Sequence, residues 1–392
     1  MASDDHGLVT VRNPDLDVEA GNQANWNRPD KRRWGFHNLH RLSRYGLSLR
    51  ATNVLPLTKV IDRRIGDLPP VRQLTGSTMF SGMAVVRDQT VLFETYAADF
   101  GPDQPHSIQS ISKTTMHLVC GRLVEDGLID LDAKVSTYLP EVASGYAEAT
   151  VQQVLDMNVI NNFNEDYADP WHFDATPGAT VGYGREEIAM GWRLQPAGEP
   201  PFSCRAFAAQ LVSDDVTNRT GMAQYKSPNT DIAGWIAERV SGKSLRDHMI
   251  DIVEAAGIEG TWHMSTDCDG VPVIAGGVSL TARDLARYGG LIARGGRGVD
   301  GKMVGSPAFL ERTRSEQGQP RYDDREDLTY HNQLMTNGRW VSHGGYGGQY
   351  LLVDPDSRTV VVFFSVLEDE EGYDASYYPD IIAMAEAILH LP

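Results

Sequence analysis

Residues 107–120 read Ser-Ile-Gln-Ser-Ile-Ser-Lys-Thr-Thr-Met-His-Leu-Val-Cys, and the interpretation of the whole chain depends on this stretch. Met116, Val119 and Leu123 recur at the three-to-four spacing of one buried helix face, which predicts a helix. Ser107 is a residue type that often caps a helix N-terminus, so we predict that the helix begins just after it.

Ser110 and Lys113 are three residues apart, so on a helix they share one face and can meet. A serine hydroxyl is a poor nucleophile unless a neighbouring base takes its proton. A lysine can be that base when burial or a nearby positive charge lowers its pKa. Because Ser-x-x-Lys also occurs on many helix surfaces, the pair alone does not establish catalysis.

The composition narrows the classes of partner. A chain of 392 residues can form one large core or two domains, and a hydrophobic content of 41% fits an ordinary globular protein. The formal net charge of −18 argues against nucleic acid or a membrane surface as partner, since both attract basic patches. We therefore expect a small-molecule partner, with a homodimer as one hypothesis for the assembly state.

The cysteines and the N-terminus bear on metal binding and location. Cys120, Cys204 and Cys268 are too few and too scattered for a disulfide framework or a zinc site, so no metal is expected. The N-terminal residues show no secretory signal pattern, and no run of about 18 apolar residues is present to span a membrane. The sequence therefore predicts a cytoplasmic protein.

Strand patterns occur towards both ends of the chain. Residues 82–86 and 90–96 are rich in β-branched side chains and flank a short polar turn, which predicts a β-hairpin. Residues 349–353 and 359–364 predict two further strands around an Asp-Pro turn. Residues 378–389 predict a closing helix with an apolar face.

The region between these strands has a mostly helical periodicity. We therefore predict an α+β fold, with an antiparallel sheet flanked by helices and an inserted, mostly helical domain. Residues 26–119 and 272–392 would form the discontinuous sheet domain, and residues 120–271 the helical one. Residues 1–25 are polar and predict a loose N-terminal arm.

Residues 158–192 predict a long loop with several aromatic side chains, and long loops inside compact domains are often functional. Its acidic residues Glu165, Asp166 and Asp169 allow two interpretations. They have the oxygen ligands that a hard cation prefers, but a solvated turn is the better explanation.

Two further motifs can complement Ser110. Tyr225 precedes an apolar helix, with Ser227 two residues later, and a phenol close to a lysine can relay a proton. A packed aromatic residue is the alternative. Residues 342–349, Ser-His-Gly-Gly-Tyr-Gly-Gly-Gln, precede a predicted strand and include His343; a substrate could lie along this backbone, or the segment could be a simple glycine-rich turn.

Taken together, Ser-x-x-Lys, Tyr-x-Ser and His-Gly-Gly in this order resemble the β-lactamase-like serine hydrolases. This penicillin-recognising group includes class C β-lactamases, D,D-peptidases and esterases. Within it, the sequence looks most like the 6-aminohexanoate-dimer hydrolases, which cleave nylon oligomers. The shared segments are Ser-Ile-Ser-Lys (110–113), Val-Leu-Asp-Met (154–157), Asn-Glu-Asp-Tyr (164–167), Gly-Trp (191–192), Gln-Tyr (224–225), Gly-Gly-Val-Ser-Leu-Thr-Ala-Arg-Asp-Leu-Ala (276–286) and Gly-Gln (348–349).

The resemblance implies a β-lactamase/transpeptidase-like fold and a reaction that needs no metal or cofactor. It implies that Ser110 is the nucleophile, Lys113 the general base and Tyr225 the proton-relaying phenol. It also implies an oxyanion hole made by the N–H of Ser110 and a second N–H from the C-terminal strand, near Gln349 or Tyr350.

The resemblance further implies residues that bind substrate. Tyr167 and Trp192 match a mobile loop that closes over amide substrates, and Ser227 matches a position where β-lactamases carry asparagine. His343, Gly345 and Gln349 belong to the glycine-rich segment along which substrate would lie. Two departures concern the amide substrate. Ala275 stands where dimer hydrolases place a polar side chain, and the loop between Tyr167 and Trp192 is longer here, which leaves Asp174 as the candidate for their amine-binding acid.

These implications lead to a serine hydrolase that cleaves a small amide or ester through an acyl-enzyme. A carboxylesterase without amidase activity is the nearest alternative, since only pocket residues such as Ala275 separate the two. A β-lactamase or D,D-peptidase is less favoured, because such enzymes meet their substrates outside the cytoplasm. A non-catalytic binding protein of the same fold is the alternative from another class.

Overall fold

A computed structural model describes residues 24–167, 181–322, 325–369, 372, 374 and 376–391. Most of the predicted arm 1–25, and also Asp169 and Asp174, lie outside the described residues. None of the described helices has the length and apolar character needed to cross a membrane.

The strands of the described residues form a nine-stranded, a four-stranded and a two-stranded sheet. In chain order the strands are β1 (Gly46–Leu49), β2 (Thr58–Lys59), β3 (Phe80–Arg87), β4 (Thr90–Tyr96), β5 (His106–Ser107), β6 (Phe163–Asn164), β7 (Val181–Gly182), β8 (Trp262–Ser265), β9 (Val278–Leu280), β10 (Gln319–Tyr322), β11 (Arg325–His331), β12 (Leu334–Thr336), β13 (Val341–Gly345), β14 (Gln349–Asp354) and β15 (Thr359–Ser365). The large sheet has the order β10-β11-β12-β13-β14-β15-β3-β4-β2, and its pairs are antiparallel except for β2 with β4.

The helices of the described residues come mainly from the middle of the chain. They are α1 (Arg32–Leu42), α2 (Arg63–Asp67), α3 (Pro69–Thr75), α4 (Thr114–Glu125), α5 (Val135–Tyr138), α6 (Ser144–Ala147), α7 (Val151–Leu155), α8 (Tyr183–Ala189), α9 (Cys204–Ala209), α10 (Ser227–Ser241), α11 (Leu245–Ala256), α12 (Ala282–Ala293), α13 (Pro307–Ser315) and α14 (Tyr377–Leu389). Together with the antiparallel sheet, they confirm the predicted α+β class.

The centre of the large sheet is buried on both faces, and β15 shows why its sequence is a continuous apolar run. Val360 and Val362 point to one face and join the core that includes Leu285 of α12. Val361 and Phe363 point to the other face and join a second core that contains residues of α14. Because alternate side chains of a strand face opposite sides, a strand covered on both sides needs apolar residues throughout.

The strands and the closing helix predicted at the two chain ends are confirmed. The predicted hairpin corresponds to β3 and β4, which pair in antiparallel register. The predicted C-terminal strands correspond to β14 and β15, and the closing helix to α14. Each of these segments has strong periodicity or β-branched content, so local sequence and tertiary environment favour the same structure.

Three local predictions were wrong. Ser107 does not cap a helix; it lies in β5, paired with Ser279 of β9, because long-range pairing overrides its capping preference. Residues 342–349 were predicted to precede the first C-terminal strand, but residues 342–345 themselves lie in β13, which pairs with β14. Residues 183–189 form α8, within the segment that was predicted to be a loop.

A buried two-residue turn between β11 and β12 joins the sheet to the helical region. Asn332 and Gln333 both adopt positive φ, of 51° and 66°, and both are fully buried. The side chain of Asn332 donates to Thr313 Oγ1 at 3.0 Å and accepts from Gln152 Nε2 at 2.8 Å. Gln333 accepts from Thr230 Oγ1 at 2.8 Å. The turn therefore depends on both its backbone conformation and its side-chain amides.

We expect Asn332→Gly to lower the free energy of unfolding by about 1–3 kcal/mol, because the buried partners of the Asn332 side chain lose their hydrogen bonds. Asn332→Ala should lose roughly 1–2 kcal/mol more, since alanine resists the left-handed conformation and glycine does not. Urea unfolding of both variants and wild type measures the difference. Equal stability of the two variants would show that the positive φ at this turn is not a constraint.

Candidate active site

Ser110 and Lys113 lie on a 3₁₀ turn, Gln109–Lys113, that precedes α4. Residues three apart are eclipsed on a 3₁₀ turn, which brings the two side chains together, with Lys113 Nζ 3.1 Å from Ser110 Oγ. Gln109, immediately before Ser110, has a φ of +48°, a conformation that is uncommon outside glycine. Its carbonyl accepts a hydrogen bond from Ser112 Oγ, which holds the turn in place.

The amine of Lys113 is fully buried and is held from three directions. It lies 2.8 Å from Ser227 Oγ at the start of α10, and 2.7 Å from the carbonyl oxygen of Ala275. The third contact is with Ser110. Because a carbonyl oxygen only accepts hydrogen bonds, the contact with Ala275 requires an N–H of the amine.

Burial lowers the pKa of Lys113, because the charged ammonium loses its hydration. The carboxyl groups of Glu165, Glu186 and Asp231 act in the opposite direction and limit that decrease. Burial also raises the pKa of Glu186 well above its usual value and that of Asp231 to about 7. Because burial favours the uncharged form of the amine, this environment supports Lys113 as a base.

Tyr225 stands beside this pair, just before α10. Its ring centroid is 4.9 Å from Lys113 Nζ. Burial raises the pKa of Tyr225 well above 10, while the proximity of Ser110 lowers it. The phenol oxygen is buried, yet it has no hydrogen bond of normal geometry to Ser110 or to any other described residue. Tyr225 is therefore a neutral phenol whose hydroxyl is available to a bound molecule.

Glu165 makes contacts near Lys113 that the sequence analysis did not predict. It was assigned to a solvated turn, but its carboxylate accepts hydrogen bonds from Ser227 Oγ at 2.8 Å and from Tyr167 Oη at 2.6 Å. It also accepts from the backbone N–H of Ser227, at the first turn of α10. The described residues contain no group of three or more His, Cys, Asp or Glu side chains that could hold a metal ion. Glu165 thus belongs to the Lys113 environment.

Ser110 lines a partly open cavity. The side chains around it are mostly aromatic, with one guanidinium: Ser110, Tyr167, Tyr225, Arg321, Tyr322, Tyr330, Tyr346 and Tyr378. Such a lining suits a small, largely apolar molecule that is oriented by a few polar groups. Tyr167, predicted to contact substrate, is among these residues.

His343 also lines the cavity but makes its polar contacts within the protein. Its Nε2 lies 3.2 Å from Tyr330 Oη, and its Nδ1 2.6 Å from the carbonyl oxygen of Gly344. Burial, and next the charge of Lys113, lower the pKa of His343 to about 3, so the ring is neutral. His343 can shape the cavity, but both of its ring nitrogens are engaged within the protein and it does not supply a positive charge.

Gly345 lets β13 approach the Ser110 turn. A Cβ atom at this position would lie 2.4 Å from the carbonyl oxygen of Ile108, so only glycine fits without a shift of the backbone. The adjacent Gly344 lines the cavity. The backbone of β13 therefore runs directly beside the predicted nucleophile.

Five of the seven residues predicted to contact substrate are not among those that line the cavity: Trp192, Ser227, Gly345, Ala275 and Gln349. Trp192 is buried and donates through its indole N–H to Ser265 Oγ at 3.1 Å. Gln349 is fully buried on β14, where its amide bonds to the backbone of Ser365. The side chain of Ala275 is also buried, and this residue meets the site through its carbonyl oxygen, which holds Lys113.

Comparison with known proteins supports the fold and the family. The family profile described as Beta-lactamase matches residues 71–383. The 6-aminohexanoate-dimer hydrolase of Paenarthrobacter ureafaciens is 32% identical over 361 residues, which cover 88% of each chain.

Solved structures show the same fold at lower sequence identity. One from Bacillus anthracis, provisionally named a 6-aminohexanoate-dimer hydrolase, superposes with a TM-score of 0.78 at 20% identity, covering 95% of this chain and 98% of that one. A D-stereospecific amidohydrolase from Streptomyces gives 0.55 at 16% identity, covering 79% and 97%. The profile match and the 32% identical relative, with this fold, show that the chain belongs to the β-lactamase family and is a hydrolase related to 6-aminohexanoate-dimer hydrolase.

Proposed function

We propose that this protein is a serine hydrolase that cleaves a small amide or ester through an acyl-enzyme on Ser110. The observation that carries the proposal is the buried Lys113 amine, 3.1 Å from Ser110 Oγ, in surroundings that lower its pKa. A neutral amine at this distance can take the proton of the hydroxyl as it attacks.

In the acylation step, Ser110 Oγ forms a bond to the substrate carbonyl carbon while its proton passes to Lys113 Nζ. The carbonyl electron pair moves onto oxygen, and then returns as the bond to the leaving amine or alcohol breaks. The leaving group takes a proton from the phenol of Tyr225, which regains one from the Lys113 ammonium. The raised pKa of Tyr225 suits this role, because the phenol keeps its proton until the leaving group needs it.

Deacylation repeats these steps with water in place of the serine. Water adds to the ester carbonyl and gives a proton to Lys113 Nζ. Ser110 Oγ takes this proton back as its bond to the acyl carbon breaks and the acid product forms. We propose that the Ser110 N–H and the β13 backbone near Gly344 stabilise the oxyanion, since β13 runs beside the Ser110 turn. The register predicted earlier, at Gln349 or Tyr350, lies on β14, which pairs with β13.

For the substrate, we propose a linear amide of the 6-aminohexanoate-dimer type. The support is the 32% identical relative that bears this name, together with the aromatic cavity. An ester preference is the second candidate, because Ala275 presents only its carbonyl oxygen to the site.

Ser110→Ala should lower the turnover of a p-nitrophenyl ester and of linear 6-aminohexanoate dimer by roughly 10⁴-fold or more, since the acyl-enzyme cannot form. Lys113→Met should lower both rates by more than about tenfold, because the base is lost. Steady-state rates measured side by side test both variants. Ester turnover alone in the wild type would indicate a carboxylesterase, and near-wild-type rates in Ser110→Ala would refute the nucleophile.

The pH dependence of kcat/KM should reflect the shifted pKa values of Lys113 and Tyr225. The rate rises as Lys113 loses its proton, so the acid limb should lie below pH 10.5, the usual lysine pKa. Loss of the Tyr225 proton should not reduce the rate up to about pH 10, because the pKa of this phenol is raised. Profiles of the ester reaction, with Tyr225→Phe as the comparison, test this. An alkaline loss below pH 10 that Tyr225→Phe abolishes would contradict it.

A further inference from the structure

We propose that Glu165 is a positioning residue that fixes the direction of the Ser227 hydroxyl and thereby points the lone pair of Lys113 at Ser110. This inference deepens the proposed function and rests on it. It concerns a residue that does not line the cavity and acts only through its neighbours.

Hydrogen-bond donors from Ser227 and Tyr167 converge on Glu165. Ser227 donates both its hydroxyl, at 2.8 Å, and its backbone N–H, and Tyr167 donates its phenol at 2.6 Å. A carboxylate accepts hydrogen bonds and donates none, so the single proton of the Ser227 hydroxyl is committed to Glu165. The same contact places a negative charge at the N-terminus of the 15-residue helix α10, where the helix dipole stabilises it.

The number of hydrogens on the neutral Lys113 amine decides where its lone pair points. With its proton committed to Glu165, Ser227 Oγ can only accept from Lys113 Nζ, at 2.8 Å. The carbonyl oxygen of Ala275 also only accepts, at 2.7 Å. A neutral amine has two N–H bonds, and these two acceptors use both of them. The remaining lone pair then faces the third neighbour, Ser110 Oγ, at 3.1 Å.

Replacing the Glu165 carboxylate with an amide should change the direction of the Ser227 hydroxyl. In Glu165→Gln, the amide can donate to Ser227 Oγ through its NH₂ group, which frees the hydroxyl proton of Ser227. That proton can then be donated to the lone pair of neutral Lys113, in competition with the Ser110 hydroxyl. The base would remain present and buried, but it would be turned towards the wrong serine.

The charges around Lys113 predict a second effect of the Glu165→Gln substitution, on the pKa of Lys113. Carboxyl groups face it from Glu165, from Glu186 on α8 and from Asp231 on α10, and all three raise its pKa. On the other side, burial keeps His343 of β13 neutral and keeps the phenol of Tyr225 protonated. Removing the charge of Glu165 should therefore lower the pKa of Lys113 and move the acid limb of kcat/KM to lower pH. A loss of packing alone has no reason to produce this shift.

We would measure the ester reaction of Glu165→Gln from pH 6 to 10, with the exposed Glu148→Gln as the matched control. The expected result is a plateau kcat/KM lower by about tenfold to 100-fold, as for a misplaced catalytic group, with the acid limb at lower pH. Glu148→Gln should match the wild type. An unchanged plateau in Glu165→Gln would overturn the proposal.

A double-mutant cycle with Ser227→Ala tests the route through which Glu165 acts. Without the Ser227 hydroxyl there is nothing for the carboxylate to orient, so Glu165→Gln should cost little further plateau rate in that background. The shift of the acid limb caused by Glu165→Gln should persist, since the negative charge of Glu165 is lost in both backgrounds. Equal, additive rate losses in both backgrounds would show that Glu165 acts independently of Ser227 and would overturn the proposal.

Glu165→Asp separates orientation from charge and remains informative if the glutamine variant does not fold. The shorter side chain keeps the charge but draws the carboxylate away from Ser227, so the plateau should fall while the acid limb stays near its wild-type pH. A fully active aspartate variant would overturn the geometry. Loss of activity in Ser110→Ala tests the proposed function separately, so the two ideas can fail independently.

Discussion

Burial of the Lys113 amine is the constraint on which the rest of the site depends. The three groups around it come from the 3₁₀ turn, the first residue of α10 and the backbone at Ala275, so segments more than 160 residues apart must assemble before the amine is satisfied. Burial lowers its pKa, and nearby carboxyl groups oppose that decrease. The site therefore holds a basic amine in a fully buried position, where a lone charged lysine would be costly.

The surrounding fold packs closely against this arrangement on one side and leaves it open on the other. Gly345 allows β13 to pack against the Ser110 turn, and Gln109 accepts a positive φ directly before the nucleophile. Trp192 packs behind the segment that carries Ala275, against Gly276. On the open side, the buried Tyr225 hydroxyl keeps its hydrogen-bonding capacity for a bound molecule. Unsatisfied groups and unusual backbone conformations are thus concentrated where the reaction is proposed to occur.

Local patterns predicted those parts of the molecule for which one short stretch contains enough information. The hairpin β3–β4, strands β14 and β15, and the closing helix were predicted because their periodicity agrees with their final environment. The group of Ser110, Lys113 and Tyr225 was predicted from motif order and family resemblance. Glu165 was missed, because a carboxylate in a polar segment looks the same whether it faces water or a helix N-terminus. Trp192 and Gln349 were predicted to contact substrate, and both are buried and absent from the residues that line the cavity.

The sequence by itself determined the α+β class, the family and the chemical types available at the site, because these follow from periodicity and from motifs of a few residues. The tertiary structure alone decided which strand adjoins Ser110, that His343 is neutral, and that Glu165 orients towards Ser227. These properties depend on burial and on contacts between distant segments. The pKa of a side chain and the direction of a hydroxyl proton are set by neighbours in space, which the order of residues along the chain does not specify.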